Sequence, residues 1–317
     1  AVQLLLDAKA TLSMKDGAKS TTLHLAADNR HSGPVQVLLD AKANVHVKNK
    51  WSWTPLHTAA SHGHSDTAQV LIDGKASLDV TDNLGKTALH KAAEQDHRDA
   101  VKVLVDAKAA LDIKDNYGKT GLDLAAEKGH IDVVKLLVVA KAPLDSKEKY
   151  GCTALYKAAD EGHKDVVEML VNAKAALGNQ NNEETTPLHR AAGNGRNGAV
   201  QVLVNAKAPL DVKDRGGCTP LLKAAWSGHS GAVQLLVDAK AALDVQEKRN
   251  GCTPLHKAVL FGHRYSVQAL VQAKATLDMK DNDGKTPLQI AAEKGYNGIL
   301  RVLLAPFANT RKRGRDD

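Results

Sequence analysis

Thr21, Thr54, Thr87, Thr120, Thr153, Thr186, Thr219, Thr253 and Thr286 open near-copies of one segment, spaced 33 residues apart except for a step of 34 between Thr219 and Thr253. Aligned, the copies read Asp-x-x-Gly-x-Thr-Pro-Leu-His-x-Ala-Ala-x-x-Gly-His, then a Val/Leu run, then Ala-Lys-Ala-x-Leu-Asp. A period of this length means one small supersecondary unit stacked many times, not a compact domain folded around a buried site. No such unit buries its apolar stripe alone. Stacking makes a continuous core in which each unit touches only its neighbours.

Local chemistry divides each unit into helix, helix and turn. Thr54, Thr219 and Thr253 each precede a proline, so the hydroxyl caps a helix whose first position tolerates a missing N–H. Leu56, Ala59 and Ala60 fall at helical spacing, and the small alanine pair lets a neighbouring helix approach closely. Gly63 and Gly129, each followed by histidine, suit the left-handed residue that ends a helix. Val133-Val134-Lys135-Leu136-Leu137 supplies a second apolar stripe, and Asp115-Asn116-Tyr117-Gly118 supplies turn chemistry.

This pattern resembles the ankyrin repeat: a β-hairpin turn, two antiparallel helices and a returning loop. The resemblance covers nearly the whole chain and implies an all-α solenoid of stacked helix-turn-helix units joined by short β-hairpin turns. Residues 1–14 read as the second half of a truncated repeat, 15–309 as nine stacked repeats and 310–317 as a basic C-terminal tail. The opening Ala1–Ala10 nearly repeats Ala232–Ala241, so it is a second helix rather than a signal segment. An apolar helix face there is expected to be covered by upstream sequence or by a partner. Phe307, after Pro306, takes the last lysine slot and marks the end of the array.

Catalysis and metal binding are not expected. Aromatic content is only 3%, usual where Ala and Leu carry the packing, and no apolar run approaches the roughly 20 residues that span a bilayer. Cys152, Cys218 and Cys252 each precede the repeat threonine. Equivalent positions of adjacent units lie about 8–10 Å apart, whereas disulfide Cα atoms come within about 7 Å. Three free thiols of an intracellular protein are expected, cytoplasmic rather than nuclear. Histidines fall in two slots. His24, His57, His90, His189 and His256 close the Thr-Pro-Leu-His unit, and His31, His64, His97, His130, His163, His229 and His263 follow seven residues later. Two residues seven apart on a helix stand about 10 Å apart along it. They are read as hydrogen-bonders that stabilise the repeat, with His46 and His62 outside both slots and His62 of interest for its surface position. No phosphate loop, nucleophile elbow or paired carboxylates appear, so no cofactor is expected.

Surface remains. The resemblance implies docking of protein partners on hairpin tips and the exposed side of the first helices, a concave face. Six of the ten aromatic residues lie in those slots: Trp51, Trp53, Tyr117, Tyr150, Trp226 and Phe261, with Leu260 beside the last. Exposed aromatics that cluster across adjacent units serve as interface anchors. A second signal is the lysine column Lys9, Lys42, Lys75, Lys108, Lys141, Lys174, Lys207, Lys240 and Lys274, which stands where the family has a left-handed glycine. It reads either as a basic rail for an acidic partner or, the reading favoured here, as a residue copied along with the repeat. Asp7, Asp40, Asp73, Asp106 and Asp238, two residues earlier, are expected to neutralise it partly. Base recognition would want aromatics interleaved with basic groups, and they are out of register with this column, so nucleic acid is not expected. The sixth unit, with Glu184 in place of the turn glycine and the glycine-rich Gly193–Gly198, is the expected place for a bend. The resulting expectation is a non-catalytic scaffold for another protein. Two other readings are a structural subunit of a larger assembly and the targeting module of a longer enzyme.

Overall fold

The computed structural model describes residue 12 and residues 14–313, with side chains as far as 306. The expected N-terminal half-repeat, Lys9, the side chain of Phe307 and residues 314–317 therefore lie outside the described residues. Eighteen helices are found among those described, in nine pairs. In chain order these are Thr22–Ala27 with Ser32–Asp40, Pro55–Ser61 with Ser65–Asp73, Ala88–Glu94 with Arg98–Asp106, Gly121–Lys128 with Ile131–Val139, Ala154–Glu161 with Lys164–Asn172, Pro187–Gly193 with Asn197–Asn205, Pro220–Ser227 with Ser230–Asp238, Pro254–Leu260 with Arg264–Gln272, and Pro287–Glu293 with Asn297–Arg313. The chain packs as two compact units, Ala1–Ala154 and Leu155–Asp317.

Within the first unit, Leu23, Leu56, Leu89 and Leu122 of the first helices and Leu38, Leu71, Leu104 and Leu137 of the second are all buried. The alanine pairs Ala59-Ala60, Ala92-Ala93 and Ala125-Ala126 are fully enclosed, which is what close helix approach demands. The second unit repeats the scheme with Leu170, Leu203, Leu236 and Leu270 beneath Leu188, Leu221 and Leu255.

Each first helix starts at the repeat threonine. Thr87, Thr186 and Thr253 accept the N–H of the histidine three residues on, and that histidine's Nδ1 in turn accepts the threonine N–H at 3.1–3.2 Å. This reciprocal box satisfies two N–H groups that a helix start leaves unpaired. The same imidazole reaches into the next repeat through Nε2, which donates to the carbonyl before the following threonine: His57 to Lys86, His90 to Lys119, His189 to Cys218 and His256 to Lys285, all at 3.0–3.1 Å. The later histidine column caps the other end. His64, His97, His130 and His263 donate through Nε2 to Asp28, Ser61, Glu94 and Trp226, at or just past the C-terminus of the preceding first helix. Both columns hold repeats together, as the sequence predicts.

The turns differ from expectation in one respect. They close like hairpins, as where Asp82 N–H donates to Lys86 O and Gly85 N–H to Asp82 O, yet no strand forms among the described residues and the one bridge is the isolated Lys15–Thr21 pair. Their backbones bond sideways instead. In the first unit Lys50, Asn83, Asn116 and Lys149 donate N–H to the carbonyls of Ala18, Trp51, Leu84 and Tyr117; in the second Arg215, Lys248 and Asn282 donate to Glu183, Gly216 and Asn250. The sixth turn keeps this form without glycine: Glu184 takes φ +63°, and Asn181 Oδ1 accepts the N–H groups of Glu183 and Thr185. The inserted residue after Thr219 widens the eighth turn, where Gly251 N–H reaches Glu247 O four residues back rather than three. The final helix runs through Pro306 to Arg313.

Candidate functional site

Two groups of exposed side chains stand outside the core, one in each unit. In the second unit the C-terminal end of Pro220–Ser227 carries Trp226, and the equivalent end of Pro254–Leu260 is followed by Phe261. Their rings stack at 6.2 Å, and Phe261 stacks on His263 at 6.3 Å. His263 is fixed by its bond to Trp226 O and fits because Gly228 has no side chain; a Cβ there would meet Nδ1 at 2.5 Å. Trp226 is 38% and Phe261 49% exposed, while Leu260 is half-buried.

Beneath this ladder lies a feature that aromatic spacing did not reveal. Lys223 and Lys257 stand on the first helices under the hairpin acids, pairing with Asp214 Oδ2 at 2.8 Å and Glu247 Oε1 at 3.3 Å. Both ammonium groups also face the Trp226 ring, Lys257 at 4.4 Å and Lys223 at 5.8 Å. Burial alone would raise the Asp214 and Glu247 carboxyls. The lysine partner and the turn N–H groups outweigh it, and both are held below their usual range. The signal in the sequence was an acid followed nine or, after the insertion, ten residues later by lysine.

In the first unit Trp51 and Trp53 lie 6.3 Å apart, tilted by 53°. Only Trp51 stands out, with Lys50 over its ring at 4.4 Å. Trp53 is half-buried: its Nε1 donates to Asp82 Oδ2 at 3.1 Å, and Lys91, itself 2.8 Å from that carboxylate, covers the ring. Trp53 thus braces the next hairpin instead of standing free as an anchor. Tyr117 and Tyr150 are exposed at turn tips, and Leu84, which the aromatic count passed over, occupies the same tip position. His62 is exposed but locally engaged, bonded to Thr58 O at 2.9 Å, 3.2 Å from Asp28 and stacked on His64.

The lysine column takes the left-handed conformation expected of it. Lys42, Lys75, Lys108, Lys141, Lys174, Lys207, Lys240 and Lys274 have φ between +62° and +73° and are exposed. The neighbouring aspartates make their contacts on their own helices rather than with the column. Asp40, Asp73 and Asp238 accept from Gln36, Gln69 and Gln234 one turn earlier, and Asp106 pairs with Lys102. Cys152, Cys218 and Cys252 are buried; burial raises the Cys252 thiol and pushes Cys218 up to about 11, leaving neither of these two a nucleophile at neutral pH. Among the described residues no group of three His, Cys, Asp or Glu side chains is placed to hold a metal ion, and no helix is long and apolar enough to cross a membrane.

A family model described as ankyrin repeats (3 copies) matches residues 1–82, 23–115, 70–144, 107–180, 173–248 and 221–313. The chain belongs to the ankyrin-repeat family. Among solved structures, it is similar to the ankyrin-repeat domain of Bcl-3, described as a unique member of the IkappaB protein family. The TM-score is 0.64 and the identity 26%, over 70% of this chain and 99% of that one. No curated protein sequence matches. The ankyrin fold generally mediates protein–protein interaction, and nothing beyond ankyrin repeats was found in the chain.

Proposed function

We propose that this ankyrin array is a non-catalytic scaffold that binds another protein through its hairpin and first-helix side, with the Trp226–Phe261 ladder as the central anchor of the second unit. One observation carries the reading: two large rings in adjacent repeats stack on each other at the surface, where neither fills the core. Lysines anchored from below by Asp214 and Glu247 hold the Trp226 ring in place. Little side-chain freedom is left to lose when a partner covers it, which is how a preformed surface gains affinity. The test is affinity capture from the source cell with the chain and with its Trp226→Ala, Leu260→Ala, Phe261→Ala variant. Loss of a specific partner, with circular dichroism and melting unchanged, is the expected result. Retention of the same partners by the variant overturns the assignment.

A further inference from the structure

The hairpin tips of the first unit form a surface of a different chemistry. Trp51, Leu84, Tyr117 and Tyr150 occupy the same position of four successive turns, 48%, 47%, 53% and 62% exposed. Backbone bonds keep them in line, since the carbonyls of Trp51, Leu84 and Tyr117 each accept an N–H from the next turn at 2.9–3.2 Å. In the second unit the equivalent tips are Glu183, Gly216, Asn250 and Asp283. The apolar row is therefore a property of these four repeats, not of the fold.

Charge around the row has one sign. Residues 48–52, 81–85, 114–118 and 147–151 contain five lysines, Lys48, Lys50, Lys114, Lys147 and Lys149, all exposed. They contain three acids, Asp82, Asp115 and Glu148, all buried and turned inward. One oxygen of each is engaged by its own turn: Asp82 Oδ1 accepts from Leu84 and Lys86, Asp115 Oδ1 from Tyr117 and Lys119, and Glu148 Oε1 from Tyr150 and Cys152. The rim thus offers a ligand apolar side chains and ammonium groups, and no carboxylate.

We propose that this rim receives an extended, acidic segment of another protein, with apolar side chains at about every third residue seated on Trp51, Leu84, Tyr117 and Tyr150 and carboxylates between them facing the lysines. Geometry sets the spacing. Stacked helices, and the turns bonded to them, repeat at about 8–10 Å, while a chain extended as polyproline II advances about 3.1 Å per residue with three residues per turn, so every third side chain returns to one face about 9 Å further on. Two features favour a protein over single-stranded nucleic acid. Leu84 has no π-face for a base, and Lys50 already covers a face of Trp51. The proposal extends the scaffold reading to a second surface and does not use Trp226 or Phe261.

The experiment is selection of a random-peptide phage library against the whole chain, followed by binding of the enriched peptides made synthetically. The expected peptides are net acidic with apolar residues three apart. Their affinity falls at least tenfold in Leu84→Ser and in Tyr117→Ser, falls again in Lys50→Glu with Lys149→Glu, and is unchanged in Trp226→Ala with Phe261→Ala. The idea is overturned by an absence of enrichment, by enriched peptides lacking acidic residues, or by binding that survives both serine variants. Peptides lost only in the Trp226 and Phe261 variant leave the scaffold reading standing and remove this one. A labelled twelve-residue oligo-dT that binds as tightly and competes with the peptides assigns the rim to nucleic acid instead.

Discussion

A histidine that closes the capping box works only when neutral, because its Nδ1 must accept the threonine N–H while Nε2 donates to the next repeat. Burial, the largest influence, holds His24, His57, His90, His189 and His256 below the ordinary value, and His57 falls to about 4. The unfolded chain binds these protons near pH 6.5 and the folded chain does not, so the stabilisation is complete above pH 6.5 and is lost as pH falls towards 4. For His57 alone the difference corresponds to on the order of 3 kcal/mol. Urea midpoints measured across pH 4–7 should therefore drop steeply on the acid side. Gln289 already makes the same cap, its Oε1 accepting from Thr286 N–H at 2.8 Å, so replacing His57, His90, His189 and His256 by glutamine should flatten that dependence. Asp123 runs the other way. It occupies the histidine slot of the fourth pair, is 2% exposed, and is raised to about 6 chiefly by burial, with the Thr120 N–H and hydroxyl opposing. Its contribution is present below pH 3.8 and lost as pH rises through 6, so Asp123→Asn should raise the melting temperature at pH 8 and change little at pH 4.

Elements are joined here by side chains that the repeat consensus only half discloses. Lys91, Lys223 and Lys257 neutralise the hairpin acids Asp82, Asp214 and Glu247, but at the same place the fourth pair has Leu124. Asp115 Oδ2 is correspondingly buried with no hydrogen-bond partner. An unsatisfied buried polar atom costs about 1–3 kcal/mol, more if charged. Leu124→Lys is expected to stabilise the chain by about 1 kcal/mol or more, seen as a higher melting temperature, and to give no gain when Asp115 is already Asn. Glu184 at φ +63° gives a second case: Glu184→Gly should add about 1 kcal/mol in chemical denaturation, because glycine adopts that conformation freely. Helix positions, caps, the left-handed lysines and both histidine columns were legible in the sequence, since each recurs at a fixed place in every repeat. What escaped was set across repeats or by competition for one atom. Trp53 reads as an exposed aromatic until Asp82, 29 residues on, accepts its Nε1 proton. Asp40 and Asp73 read as partners of the lysine column until Gln36 and Gln69 claim them. The sixth turn has no glycine at its fourth position, yet Asn181 and the sideways bond from Arg215 close it as in the other turns.

Within each unit the helix contacts run between neighbouring elements, so stability is shared out from one repeat to the next. The ninth pair packs on the eighth, Pro287–Glu293 against Pro254–Leu260 and Asn297–Arg313 against Arg264–Gln272. A chain shortened to end at Lys285 keeps the His256–Lys285 bond. It should retain the far-UV circular dichroism per residue of the full chain while melting several degrees lower, because one interface is removed and the others remain. Collapse of the entire helical signal would show that stability is not shared out repeat by repeat. The sideways bonds between turns carry a further consequence. They run from backbone to backbone, so the side chain at each tip takes no part in them, and Trp51, Leu84, Tyr117, Glu183, Gly216 and Asn250 all serve equally as acceptors. What the array recognises along this edge is thereby uncoupled from what keeps it folded. A descendant gene could rewrite the row of tips one codon at a time, acquiring a new client at each step, and never pass through an unstable intermediate.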